Sequence, residues 1–113
     1  MKDNRLYVVH ILECISRIEQ YTVDGKELFI KDSKTQDPVL RNLQTLAEAT
    51  QRISPTTKTT HPEIDWGRIA GFRNVLVHDY LGVNLIRVWE VVEHHLPIMK
   101  QNFAVILQQL EKG

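Results

Sequence analysis

Apolar residues recur every three to four positions along almost the whole chain, which is the period of amphipathic helices rather than strands. Val8, Ile11, Leu12, Ile15 and Ile18 predict a first helix over about residues 3–21. A brief second helix is expected over residues 24–31, with Asp24 as its cap and Leu28 and Phe29 to dock it. Asp37-Pro38 reads as a cap followed by proline at the first helical position, opening a third helix that ends near Ile53. Its Val39, Leu43, Leu46, Thr50 and Ile53 should face inward. Residues 54–62 show neither period nor apolar content and predict an exposed loop inside one domain. The next helix runs from about Ile64 to His78 or Asp79, and Gly82-Val83-Asn84 supplies a turn and a cap. Beyond it Leu85, Val88, Trp89, Val92 and Leu96 face the core, and Pro97 restarts or bends the chain into a last helix with Ile98, Val105, Ile106 and Leu110. Strand signals are nearly absent. The expectation is an all-α bundle of four to five helices, with residues 1–113 forming a single domain.

Charge narrows what such a bundle can bind. Lys plus Arg and Asp plus Glu number 14 each, so no broad positive field covers the chain and any contact with nucleic acid must be local. A cleft between two subunits would be one way to gather Arg41, Arg52, Arg68, Arg73 and Arg87. No apolar run approaches the roughly 20 residues of a membrane span, and Met1-Lys2-Asp3-Asn4-Arg5 is not followed by a signal-peptide core. A cytoplasmic protein is expected, without membrane contact. Cys14, the sole cysteine, lies beside Ile11, Ile15 and Ile18 and reads as a small buried hydrophobe.

The candidate chemistry sits in Arg73-Asn74-Val75-Leu76-Val77-His78-Asp79-Tyr80. On a helix, Ile69, Phe72 and Leu76 form one apolar stripe while Asn74 and His78, four apart, stack on the opposite face. Arg73 falls between the two, on a stem long enough to reach sideways toward a phosphate. RNA carries its own nucleophile, the 2′-hydroxyl, so a protein that cuts it need only move protons and stabilise charge. A histidine, with an ordinary pKa of about 6.5, can do the first as base or as acid. An arginine does the second, and Asn74 can orient the imidazole or touch the substrate. His10 and Cys14 share an i,i+4 spacing but lack a second ligand pair, and Glu90, His94 and His95 read as a solvated helix face. His61 stands alone in the expected loop. There is no glycine-rich phosphate loop, nucleophile elbow or paired-carboxylate helix, which leaves metal-independent acid/base catalysis and no cofactor.

Led by Trp66-Gly67-Arg68-Ile69-Ala70-Gly71-Phe72, this segment resembles the signature of HEPN-domain toxins, in particular the HepT family. The resemblance implies an endoribonuclease toxin of a type II toxin-antitoxin pair with Arg73, Asn74 and His78 at its catalytic positions and a 2′,3′-cyclic phosphate product. It further implies an all-α homodimer in which two Arg-x4–6-His motifs meet in one cleft. The implied partner is an MntA-like nucleotidyltransferase antitoxin that transfers AMP to the tyrosine two residues past the histidine, here Tyr80. A helical partner or nucleotide-binding module that serves a nucleotidyltransferase without cutting RNA is the alternative this pattern leaves open.

Overall fold

The computed structural model describes residues 4–79 and 82–112. Tyr80, the expected acceptor of AMP, lies outside the described residues. Among those described there is no strand; the long pieces are α1 (Asn4–Tyr21), α3 (Ser33–Gln51), α5 (Trp66–His78) and a rod made of α6 (Leu85–Glu90), a π-helical turn (Val91–His95) and α7 (Leu96–Lys112). Two short helices, α2 (Lys26–Lys31) and α4 (Pro55–Thr60), join them. The all-α expectation therefore holds.

The core follows the apolar period. Val8, Ile11, Cys14, Ile15 and Ile18 of α1 are sealed against Val39, Leu43 and Leu46 of α3 and Phe103 and Ile106 of α7. Helix α3 carries α5 on its other flank, through Leu76 and the partly buried Ile69 and Phe72. Phe29 of α2 meets Trp89 of α6 with ring centroids 5.6 Å apart, which docks the short helix onto the rod. Burial raises the Cys14 thiol above its ordinary pKa, so it stays protonated and inert, as a core group should.

Several boundaries differ from the sequence reading. Helix α2 begins at Lys26, not Asp24, because Gly25 takes a left-handed turn at φ 93° just before it. Helix α3 starts five residues ahead of Pro38. Asp32 caps it by accepting from the Lys34 N–H, and the Gln36 amide donates to the Phe29 and Ile30 carbonyls at the end of α2. Those bonds outweigh the single N–H that Pro38 removes from the helix interior. The expected loop over 54–62 contains α4, capped by Ser54 and tied to the start of α1, where Asn4 donates to Ser54 Oγ and Thr57 Oγ1.

At Pro97 the chain neither restarts nor breaks. In a regular helix the proline ring would strike the carbonyl four residues back; the π turn, in which the Leu96 N–H reaches Val91 O, widens the helix there. Ile98 and Val105 face solvent, while Met99, Phe103, Ile106 and Leu110 continue the three-and-four spacing of Trp89, Val92 and Leu96 into the core.

Candidate active site

The N-terminal end of α5 is held by several independent contacts. Asp65 accepts from the Arg68 N–H, which makes it the cap that the sequence reading missed by starting the helix at Ile64; an Asp directly ahead of the helical residues was the signal. Trp66 lies edge-on to the buried Phe103 ring at 5.8 Å, and its indole N–H donates to His61 O at 3.0 Å. Lys58 Nζ sits 5.8 Å above the same indole. His61 was expected to be a lone loop residue, yet it is 7% exposed and its Nδ1 lies 2.9 Å from Glu63 Oε2. That hydrogen bond, followed by one from the backbone, holds the Glu63 carboxyl below its ordinary pKa.

Toward its C-terminal end the same helix turns its chemistry outward. Leu76 is buried, whereas Asn74 and His78 are exposed, as the helical spacing predicts. Arg73 is the exception to simple exposure. Its side chain is 28% exposed and bends across to α3, where Nη2 donates to Glu48 Oε2 at 3.4 Å; Nη1 donates to Asn74 Oδ1 at 3.2 Å. The buried Nε of Arg73 has no hydrogen-bond partner among the described residues. The His78 imidazole forms no hydrogen bond with any described residue, and beyond it the Asp79 N–H closes the helix on Val75 O. A Cβ at Gly82 would come 2.5 Å from Asp79 Oδ1, so the absence of a side chain there leaves room for the Asp79 carboxylate.

Arg73 and His78 are five residues apart, hence about 140° apart around the helix axis. The structure accordingly brings Arg73 to Asn74 but not to His78. Arg73 opens into a polar cleft of ≈ 400 Å³ between α1, α3 and α5, shared with Tyr7, His10, Glu48 and Arg52. Arg68 and Arg87 share a second one, of ≈ 450 Å³, with Asp79 and His95. Four of the five arginines thus fall into two pairs rather than one cluster, and Arg41 of α3 lines neither cleft. Among the described residues no group of His, Cys, Asp and Glu could hold a metal ion. None of their helices is long and apolar enough to cross a membrane.

Comparison with known proteins places the fold in a family. Residues 11–106 match the family model described as Ribonuclease HepT-like. The "Probable ribonuclease HepT" of Thermococcus cleftensis is 36% identical over 103 residues, covering 90% of this chain and 94% of that protein. The "mRNA nuclease HepT" of Shewanella oneidensis is 32% identical over 123 residues, covering 88% and 92%. A longer Methanocaldococcus jannaschii protein, whose name pairs gamma-glutamylcyclotransferase with RNase, is 36% identical over 99% of this chain, which spans only 51% of it. Among solved structures, the tri-AMPylated HEPN toxin of Shewanella oneidensis in complex with MNT antitoxin superposes with a TM-score of 0.70 at 32% identity, over 94% of this chain and 98% of that one.

Proposed function

The chain belongs to the HepT-like ribonuclease family, and on that premise we propose that it is an endoribonuclease toxin acting in the cytoplasm through Arg73, Asn74 and His78. One observation supports the assignment of residues: Asn74 and His78 stand exposed on α5 and Arg73 bonds to Asn74, while the opposite face of that helix is locked into the core. In the proposed reaction the 2′-oxygen of RNA attacks the adjacent phosphorus, the bond to the 5′-oxygen breaks, and a 2′,3′-cyclic phosphate is left. His78 moves a proton, either from the 2′-hydroxyl or to the departing 5′-oxygen. Arg73 neutralises the charge that builds on the phosphoryl oxygens. No metal is required.

The wide angle between Arg73 and His78 on one helix supports a homodimeric active form, in which a second copy completes the cleft. The HEPN toxin of Shewanella oneidensis, AMPylated and bound to MNT antitoxin, supports control by a nucleotidyltransferase partner, with Tyr80 as the AMP acceptor. Purified protein incubated with RNA and EDTA tests the catalytic reading. Cleavage that leaves cyclic phosphate ends and disappears in His78→Ala is expected. A fully active His78→Ala protein, or cleavage that stops on chelation, overturns it. Co-expression with the cognate nucleotidyltransferase followed by mass spectrometry should place AMP on Tyr80, and an adduct elsewhere removes Tyr80 from the scheme.

A further inference from the structure

The Arg73–Glu48 contact is a poor stabiliser. The two side chains are 28% and 41% exposed and meet at 3.4 Å, and ion pairs that open to solvent contribute little to folding. The contact also has a cost, since the course of the Arg73 side chain leaves its buried Nε without a hydrogen-bond partner among the described residues. What the arrangement provides is direction. A guanidinium on a flexible stem is gripped at both ends of its fork, by Glu48 Oε2 at Nη2 and by Asn74 Oδ1 at Nη1. It is held at the cleft that Arg52 and His10 also line. Both anchors stand on long helices packed against each other, so their backbones are fixed relative to Arg73.

We propose that Glu48 is a positioning residue for Arg73, orienting the guanidinium before RNA arrives so that it meets the charge developing on the scissile phosphate. The proposal rests on the reading of Arg73 given above. A donor already aimed at the place where charge appears needs no reorganisation during the reaction, and its benefit falls on the transition state rather than on substrate binding. Glu48 touches neither proton nor phosphate in this role. Its carboxylate acts only as a fixed acceptor, which the amide oxygen of Gln can replace.

The test compares Glu48→Ala, Glu48→Gln and Arg73→Ala in steady-state RNA cleavage, with helicity checked by circular dichroism. Removing the acceptor should lower kcat by about a hundredfold with KM nearly unchanged, the scale of loss that misplacement of a catalytic group by about 1 Å produces. Glu48→Gln should recover most of that loss. Nitrogen-detected NMR of the Arg73 guanidinium should show slow rotation in the parent and in Glu48→Gln, and averaged signals in Glu48→Ala. The positioning role is overturned if Glu48→Ala has the parent kcat, if Glu48→Gln is as slow as Glu48→Ala, or if only KM moves. Arg73→Ala separates the two levels of the argument. Should that variant still cleave RNA, the functional reading itself fails; should it be inactive while Glu48→Ala equals the parent, only the role of Glu48 is lost.

Discussion

The two ends of α5 are built on opposite principles. At the N-terminal end Asp65 caps the backbone, Trp66 is wedged on Phe103 and bonded to His61 O, and His61 is itself buried against Glu63. At the C-terminal end Asn74, His78 and Asp79 face solvent, and the described contacts there reduce to the Arg73 fork, the backbone closure on Val75 O and the turn at Gly82. One end is built of contacts that hold the fold; the other presents the residues proposed for the chemistry. A helix anchored by one end can hold polar groups out in water without losing their geometry, because the rigid element rather than the groups themselves supplies the order.

Substitutions at the two ends should therefore separate activity from stability. The largest effect is expected at the exposed end, where Arg73→Ala or His78→Ala should slow RNA cleavage by about 10²–10³-fold. Stability should change by no more than about 1 kcal/mol in urea unfolding, since the one ion pair lost is solvent-exposed. An Arg73→Ala protein that unfolds would erase the contrast. Trp66→Ala at the anchored end should do the opposite. It removes the ring packed on Phe103 and the donor to His61 O, and should cost about 2–3 kcal/mol in urea unfolding, somewhat less than a fully buried tryptophan. An unchanged midpoint would mean that the wedge does not hold α5. Asp65→Ala should cost about 1 kcal/mol through loss of the cap, with Asp65→Asn retaining most of it, as thermal melts can resolve.

The smallest effect is one of pH. Because the His61 hydrogen bond favours ionised Glu63, the folded chain binds that proton less readily than the unfolded chain does. The stability contributed by the pair is thus present above the ordinary carboxylate value of 4.5 and is lost as pH falls through the lower folded value. Glu63→Gln should melt at a pH-insensitive offset from the parent near neutrality, and the offset should shrink on acidification below that value. A constant offset down to low pH would show that the His61–Glu63 contact does not report on α5.

Periodicity makes the long helices legible and leaves the short ones hard to place. The six residues of α4, Pro-Thr-Thr-Lys-Thr-Thr, have weak intrinsic helix propensity. They are helical because Ser54 caps them and Asn4, 50 residues away, binds Ser54 and Thr57. The sequence points to Asp37 ahead of Pro38 as the cap, but the Gln36 amide, by engaging the end of α2, favours Asp32 instead. The inward face of α7 keeps ordinary helical spacing from Leu96 through Met99, Phe103 and Ile106 to Leu110, so that spacing carries no sign of the π turn beside Pro97.

The face of α5 that carries Asn74 and His78 followed from the sequence alone, since neighbours three and four apart on a helix share a side whatever surrounds them. The apolar stripe of Ile69, Phe72 and Leu76, and with it which side of the helix would be buried, followed for the same reason. The direction of Arg73 did not. Its stem has several rotatable bonds, and the adjacent Asn74 reaches only one end of its fork. Glu48, 25 residues earlier and on another helix, makes the choice, and only the packing of α3 on α5 brings that carboxylate within reach.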